Sequence, residues 1–260
     1  MDALNARPFQ ASRASRTALA VLAVYALYAL SQLDFSAERF AEGLGHGARL
    51  IGKMFPPDMG KWDILLKGIV ESVQIAVLAT ALGIAIALPI GFLGARNLMP
   101  GWISWVARML VAVCRSLHPV IVAIVFVKAV GFGALAGVLA LAVATIGFIG
   151  KLFSEAIEEI SPKQVEAVRA TGASFMNVVA FGVLPQVFSR FVGFVTYQLD
   201  SNLRNSTMVG IVGAGGIGGA LFSAFQRFDY DFVFTILATI VAIIVLAEMG
   251  SNALRKFFNV

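Results

Sequence analysis

Charged residues are scarce in this sequence of 260 residues: they make up 13% of it, whereas hydrophobic residues make up 59% and the mean hydropathy is +0.86. A typical soluble domain contains about 25% charged residues, and its interior is too small to bury so large an apolar fraction. The composition therefore argues against a soluble enzyme. It also argues against a disordered chain, because disorder requires low hydrophobicity. It predicts a polytopic membrane protein.

Cysteine and histidine are almost absent. Cys114 is the single cysteine, so this sequence can form no disulfide within itself and has no CxxC motif. His46 and His118 are isolated, and no stretch brings His, Cys and carboxylate residues to the spacing of metal ligands. We therefore expect neither a bound metal nor another cofactor.

Basic residues exceed acidic ones, with a net charge of +5 and a sequence pI of about 9.6. The 20 Lys and Arg residues are scattered singly among apolar runs, whereas a nucleic-acid-binding protein concentrates them in a patch or stripe. We therefore expect no nucleic-acid partner. Basic residues beside apolar runs instead set the topology of membrane spans and contact the anionic headgroups of membrane lipid.

Long uncharged runs are abundant, and a helix of about 20 apolar residues spans a bilayer. The sequence predicts an all-α protein with about six transmembrane helices, over residues 17–33, 66–92, 102–130, 129–150, 187–212 and 231–254. His118-Pro119 is expected to kink the third span. The first span also resembles a secretory signal, but no small-x-small cleavage site follows it, so an uncleaved helix is preferred.

Two domains are predicted. Residues 1–63 are expected to form a cytoplasmic tail, the first transmembrane helix and an external amphipathic loop over residues 34–63, which Pro56-Pro57 interrupts. Residues 64–260 are expected to form the membrane core. Lys and Arg are more frequent in the segments on the side of the N-terminus, which favours a topology with both termini in the cytoplasm.

One uncharged run, residues 170–189, is not predicted to span the membrane, because Gly172, Asn177, Gly182 and Pro185 interrupt it. The preceding residues 155–169 are predicted to form two short helices split at Ser161-Pro162, since proline is favoured at the first position of a helix. Both segments are therefore expected to lie in the cytoplasm.

The predicted cytoplasmic loop, residues 155–185, carries five residues at fixed spacing: Glu166, Ala167, Gly172, Leu184 and Pro185. This spacing resembles the "EAA" loop of the inner-membrane permeases of ABC importers, although Val168 and Gly182 depart from the family pattern. The resemblance implies that the five residues contact a separate ATPase and transmit its motion to the spans. An ordinary amphipathic surface loop is the alternative.

Two further stretches, residues 115–137 and 200–218, resemble the permeases of phosphonate ABC transporters. The resemblance implies a type I ABC importer permease fold in the bacterial inner membrane. It also implies a homodimer, two ABC ATPase subunits and a periplasmic phosphonate-binding protein. The expected function is import of a phosphonate or a related phosphorus oxyanion by alternating access, and a different small solute is the alternative.

Charges within membrane spans are costly and usually functional. Asp200 and Arg204 are four residues apart, so they can pair on one face of a helix. They are interpreted either as a structural ion pair or as part of an anion pathway that Arg204 lines together with Asn205, Ser206 and Thr207. Further candidates for the positive lining of this pathway are Arg115, Lys128 and Arg190. Both interpretations stay open at this point.

The glycine-rich turn predicted over residues 213–220 contains Gly215 and fits the pattern GxGxxG. A dinucleotide site also needs a βαβ unit, so this turn is expected instead to pack tightly or to gate the outer mouth of the pathway. The sequence has no GxxxxGK(S/T) motif, so ATP hydrolysis is assigned to the partner ATPase.

Other classes of membrane protein are less favoured. A membrane enzyme needs a nucleophile and a base on facing spans, and because none is recognisable the chain is predicted to have no catalytic site. A stand-alone secondary transporter or channel is expected to have broken helices at matching positions of two repeats. Only one strongly interrupted region is present in the sequence.

Overall fold

The computed structural model describes residues 13–32 and 36–257, and the contacts between residues divide the chain into two units, Met1–Lys53 and Met54–Val260. The N-terminal tail predicted before the first span lies outside the described residues as far as residue 12. The described residues form helices joined by turns, with no strand among them.

Among its described residues, the first unit contains the helices α1 (Arg13–Gln32) and α2 (Ala37–Gly52). α1 is long and apolar enough to cross a membrane, as the sequence predicts. The hydroxyl oxygen of Ser36 accepts a hydrogen bond from the N–H of Arg39 at 3.0 Å and caps the start of α2. The predicted amphipathic segment 34–63 therefore contains a regular helix.

The long helices of the second unit are α3 (Trp62–Gly94), α6 (Ala134–Glu158), α9 (Leu184–Ile211) and α11 (Tyr230–Phe257). α3 and α6 pack closely because glycine lets the two backbones approach. A Cβ atom at Gly91 would lie 2.9 Å from the carbonyl oxygen of Gly150, and one at Gly83 would overlap the side chain of Thr145.

A sharp bend of 89° separates α4 (Gly101–Ser116) from α5 (Pro119–Val130). It falls at His118-Pro119, where the sequence predicts a kink, but it divides the predicted third span into two helices. Nδ1 of His118 accepts the N–H of Val120 at 3.3 Å and so caps α5. Within the described ranges, five helices are long and apolar enough to cross a membrane, and six if the bent pair is one span.

The prediction of two short helices over residues 155–169 is wrong in its first part. Residues 155–158 continue α6, which ends at Glu158, and only the second helix, α7 (Pro162–Ala170), is separate. The predicted break at Ser161-Pro162 is confirmed. The turn into the loop therefore begins after Glu158 rather than before it.

The predicted interruption of the run 170–189 is confirmed at Gly172, which lies in the turn after α7, and is wrong at Asn177, Gly182 and Pro185. α8 (Phe175–Val178), a π turn (Val179–Val183) and α9 form one helical run of 37 residues, Phe175–Ile211. The N–H of Leu184 bonds to the carbonyl oxygen five residues back. This wider turn accommodates Pro185, which has no N–H donor and would clash with the backbone of a regular helix. The run therefore starts well before the predicted start of the fifth span.

The glycine-rich turn is shorter than predicted, because residues 217–220 belong to α10 (Ile217–Gln226). Gly215 and Gly216 have positive φ angles of 81° and 78°, which glycine adopts without strain. The hydroxyl oxygen of Ser72 then accepts the first N–H of α10 at 2.9 Å. This bond fixes the start of α10 against α3.

Two neighbouring glycines of α10 give a matched test of its packing. A Cβ atom at Gly218 would overlap the carbonyl oxygen of Thr207 in α9, whereas one at Gly219 would meet the carbonyl oxygen of Gly210 at an ordinary 3.7 Å. We expect Gly218→Ala to lower the free energy of unfolding by about 1–3 kcal/mol, the usual cost of overpacking, and to lower the thermal midpoint of the detergent-purified protein. Gly219→Ala should leave the midpoint unchanged, and equal midpoints for the two variants would contradict the close approach of α9 and α10.

Candidate functional site

Tryptophan residues distinguish the two ends of the second unit. Trp62 is the first residue of α3, whereas Trp102 and Trp105 lie in the first turns of α4. A short turn joins the end of α3 to the start of α4. We refer to the two ends as the Trp62 end and the Trp102 end.

The helix α9 presents two different faces, because residues four apart on a helix share a face. Gln198, Asn202 and Ser206 are buried inside the unit. Arg204 and Met208 are exposed on the other side. Polar residues that are close in sequence are therefore separated in space.

The ion pair expected from the spacing of Asp200 and Arg204 is present. Nη2 of Arg204 lies 3.1 Å from Oδ2 of Asp200, and the two side chains are 56% and 12% exposed. Oδ1 of Asp200 is buried and has no hydrogen-bond partner among the described residues. Asp200 also borders a mostly apolar cavity of about 380 Å³ between α3, α9 and α11. The carboxylate thus faces the interior while the guanidinium reaches the surface.

Ser206 and Thr207 do not join Arg204 on this surface. Ser206 is fully buried, and its hydroxyl donates to the carbonyl oxygen of Leu203 at 2.7 Å. Thr207 is half-buried and its backbone lies against Gly218 of α10. Of the residues predicted to line a pathway, the structure brings together only Asp200 and Arg204.

Gly215 lies at the Trp62 end of the unit, in an open groove of about 490 Å³ whose charged lining residues are Lys67, Glu71 and Arg227. A Cβ atom at Gly215 would lie 2.7 Å from Oε1 of Glu71 and 2.8 Å from the backbone nitrogen of Ala134. Glycine is therefore required here by close approach as well as by its positive φ angle. Gly210, the residue of α9 that lines the groove, lies about 9 Å along the axis of α9 from Arg204.

Charged side chains next to this groove tie the start of α3 to the start of α11. Nζ of Lys61 lies 2.8 Å from Oδ2 of Asp229 and 3.2 Å from Oδ2 of Asp58. The bond to Asp229 raises the pKa of Lys61. The N–H of Gly60, together with Lys61, lowers the pKa of Asp58. The two ion pairs therefore join the segment before α3 to the segment before α11 at the Trp62 end.

Four buried polar side chains from three helices bond to one another: Thr80 of α3, Thr145 of α6, and Gln198 and Asn202 of α9. Nδ2 of Asn202 donates to Oγ1 of Thr80 at 2.8 Å and to Oγ1 of Thr145 at 2.9 Å. Nε2 of Gln198 donates to Oγ1 of Thr145 and to Oδ1 of Asn202, both at 3.0 Å. Both threonine hydroxyls donate to carbonyl oxygens four residues back in their own helices.

This buried network fixes the rotation of α9 against α3 and α6, since a polar group left without a partner in apolar surroundings is costly. Sequence reasoning missed it. The available signal is the spacing of Gln198 and Asn202, four residues apart in an apolar span. Their threonine partners lie more than 50 residues away in sequence and carry no such signal.

The five residues of the predicted coupling motif all lie exposed at the Trp102 end: Glu166, Ala167, Gly172, Leu184 and Pro185. We call residues 162–185 the knob. Val165 is buried and anchors α7, and a Cβ atom at Gly182 would lie 3.4 Å from its Cα atom. Gly182, one of the two departures from the family pattern, therefore lies within ordinary contact distance of α7.

Gly172 is required for its conformation and not for its size. Its φ angle is +74°, and a Cβ atom there would meet no atom within 4 Å. Its N–H donates to the carbonyl oxygen of Arg169 at 3.0 Å, which closes the turn after α7. A larger side chain would fit in the space at this position, but its residue would be strained at this positive φ angle.

Side chains of α9 hold the base of the knob. Oε1 of Gln186 accepts the N–H of Ser161 at 3.0 Å, and its Nε2 donates to the carbonyl oxygen of Gly182 at 2.6 Å. Nη1 of Arg190 lies 2.5 Å from Oε2 of Glu159. The knob is therefore attached to the same continuous helix that carries Arg204.

The buried network can be tested with two asparagines of α9. We expect Asn202→Leu to cost about 1–3 kcal/mol in the free energy of unfolding, because it leaves Gln198 and the two threonines with fewer partners. Asn205→Leu is the matched control, since Asn205 is half-buried and makes only a 3.4 Å bond to Ser201. A thermal midpoint that falls equally in both variants would show that the network does not fix the bundle.

Comparison with known proteins gives the relatives of this chain. Residues 87–258 match the family described as binding-protein-dependent transport system inner membrane component. The phosphite transport system permease protein PtxC of Stutzerimonas stutzeri is 40% identical over 224 residues, which cover 86% of this chain and 82% of PtxC. The phosphate-import permease protein PhnE of Mycolicibacterium smegmatis is 40% identical over 206 residues, 78% of this chain but 39% of PhnE.

Among solved structures, the inward-facing methionine ABC transporter MetNI matches with a TM-score of 0.69 and 24% identity, over 77% of this chain and 99% of that chain. This likeness shows the fold, which is that of type I ABC importer permeases. The exposed knob and the match over most of the chain agree on one family. The chain belongs to the binding-protein-dependent transport system inner membrane components and is a permease subunit of an ABC importer.

Proposed function

We propose that this permease imports a phosphorus oxyanion, a phosphonate or phosphite, as a homodimer with two ABC ATPase subunits and a periplasmic phosphonate-binding protein. The observation that carries the proposal is the 40% identity to PtxC, a phosphite transport system permease, over 86% of the chain. ATP hydrolysis belongs to the partner ATPase, and the permease contributes no catalytic group. Its role is to couple ATP hydrolysis to alternating access.

The proposed orientation places the Trp102 end in the cytoplasm and the Trp62 end in the periplasm, with both termini in the cytoplasm. The knob supports it, because a surface that contacts a cytoplasmic ATPase must lie at the cytoplasmic end. The glycine-lined groove with Lys67 and Arg227 then faces the periplasm, where a binding protein releases its cargo.

Cysteine labelling tests this orientation. In a Cys114→Ala background, Gly45→Cys should react with a membrane-impermeant maleimide added to intact spheroplasts, and Gln164→Cys should react only after the membrane is opened. Labelling of position 164 in intact spheroplasts would contradict the orientation and, with it, the role of the knob.

The knob transmits the motion of the ATPase through the 37-residue run Phe175–Ile211. A continuous helix of this length extends about 55 Å, so a displacement of the knob reaches Arg204 without passing through a flexible loop. The bonds of Gln186 and Arg190 keep the knob and the helix moving together.

Substitution of Gly172 tests the coupling. Gly172→Val places a β-branched residue at φ +74° and should distort the turn, whereas asparagine tolerates this backbone region. We expect Gly172→Val to reduce ATP-driven uptake by about tenfold or more, equivalent to ~1.4 kcal/mol of lost coupling, at unchanged membrane levels. Gly172→Asn should keep most of the uptake, and full uptake by Gly172→Val would remove this turn from the mechanism.

We propose that the anion passes Arg204. A homodimer repeats each residue across a two-fold axis, so two guanidinium groups would face one shared pore. Asp200, 3.1 Å from Arg204, weakens the attraction of each arginine, so the anion is attracted but not trapped. Gly215 belongs to the approach from the groove. Thr207 does not line the groove and Ser206 is buried, so neither is assigned to the pathway.

Uptake by reconstituted complexes tests the pathway. Arg204→Ala should slow phosphite uptake, and Arg204→Glu should slow it by about tenfold because it adds repulsion. Stimulation of the ATPase by the loaded binding protein should persist in both variants. Ser206→Ala is the control and should transport normally. Equal uptake by the wild type and Arg204→Glu would show that this arginine is only a structural partner of Asp200.

A further inference from the structure

A cavity of about 170 Å³ at the Trp102 end is lined neither by residues of the knob nor by Arg204. It lies between α3, α4 and α6. Its polar lining comes from Arg108 and Arg115 of α4 and from Lys151, Ser154 and one carboxylate, Glu155, of α6, and Ile90 and Val111 supply apolar walls. The cavity therefore combines cationic groups with an apolar surface.

Glycines of α6 bring the cationic side chains of α4 to this cavity. A Cβ atom at Gly147 would lie 2.7 Å from Cγ of Arg115, and one at Gly150 would lie 3.0 Å from Cγ2 of Val111. The stem of Arg115 thus packs directly on the backbone of α6. The contact between α4 and α6 therefore determines where the side chain of Arg115 leaves α4.

The positive charge of the cavity is only partly neutralised. Nη2 of Arg108 lies 2.6 Å from Oε1 of Glu158, and Nζ of Lys151 lies 3.4 Å from Oε1 of Glu155. Arg115 has neither an ion pair nor a hydrogen bond to another side chain in the described part of the chain. Arg115 is exposed and has no acidic partner, so its guanidinium group can bind an anion.

Exposed aromatic and apolar side chains place this cavity at the boundary of a membrane. Trp102 and Trp105 are 72% and 64% exposed at the start of α4, and tryptophan is enriched at the level of lipid headgroups. The same helix then exposes an apolar surface that includes Met109 and Leu110. Arg108 and Arg115 follow Trp102 by about 9 Å and about 20 Å along the helix, so the cavity extends from the level of the lipid headgroups toward the acyl chains.

We propose that this cavity binds the phosphate group of an anionic phospholipid from the leaflet at the Trp102 end, with Arg115 and Lys151 on the phosphate oxygens. Basic pockets between transmembrane helices are suited to such headgroups. The exposed apolar surface of α4 accommodates the acyl chains. A free phosphorus oxyanion could bind the same cationic groups, but it has no acyl chains to contact this apolar surface. The proposal does not depend on which solute is transported.

The test measures retention of phosphatidylglycerol by the full complex. Complexes are purified from mixed phosphatidylcholine–phosphatidylglycerol nanodiscs, and the lipids that remain bound are counted by native mass spectrometry. The wild type should retain phosphatidylglycerol in preference to phosphatidylcholine. The double variant Arg115→Gln/Lys151→Gln should bind it about tenfold more weakly, because charge-assisted bonds to the phosphate are lost.

Two further variants separate charge from folding. Arg115→Lys keeps the charge and should retain phosphatidylglycerol. Lys128→Gln removes an exposed cation of α5 that lies outside the cavity, and it should also bind as the wild type does. If Arg115→Gln/Lys151→Gln retained as much phosphatidylglycerol as Lys128→Gln, the proposal would be wrong.

Competition separates the lipid from its alternatives. Millimolar inorganic phosphate or phosphite should not displace phosphatidylglycerol from the wild type. Displacement by either ion would overturn the assignment to lipid and make the cavity a site for the free oxyanion. The proposal would also be overturned if the wild type showed no preference for phosphatidylglycerol and the double variant no longer formed dimers. That result would mean that a second copy of the chain covers the cavity.

Discussion

The contact between α3 and α6 determines how the rest of the second unit is arranged. Gly83 has no side chain, so Thr145 of α6 lies directly against the backbone of α3. This close approach brings the hydroxyl groups of Thr80 and Thr145 near enough for one amide, that of Asn202, to bond to both. The rotation of α9 follows from these bonds, and the outward position of Arg204 follows from the rotation of α9.

The same helix joins the two regions to which we assign function. Because the π turn Val179–Val183 keeps the helix continuous past Pro185, residues 175–185 of the knob and the ion pair of Asp200 and Arg204 belong to one helical run. The turn also brings Gly182 against α7, where a Cβ atom at position 182 would lie 3.4 Å from the Cα atom of Val165.

Features that depend on local chemistry could be predicted from the sequence. The apolar spans, the bend at His118-Pro119, the break at Ser161-Pro162 and the pairing of Asp200 with Arg204 all follow from neighbouring residues. Features that depend on distant partners could not. The start of α10 needs the hydroxyl of Ser72, 145 residues away, and the buried network joins residues of three helices. The π turn was missed because glycine and proline normally end a helix.

The central claim is that a phosphorus oxyanion is the cargo of this permease. The most direct measurement is the rate of ATP hydrolysis by the complex in lipid vesicles, with its binding protein presented in turn with phosphite, methylphosphonate, phosphate, sulfate and methionine. The account predicts that binding protein loaded with one or more of the three phosphorus compounds stimulates hydrolysis, and that sulfate and methionine leave the basal rate unchanged. Stimulation by methionine or sulfate, with none by any phosphorus compound, would contradict it.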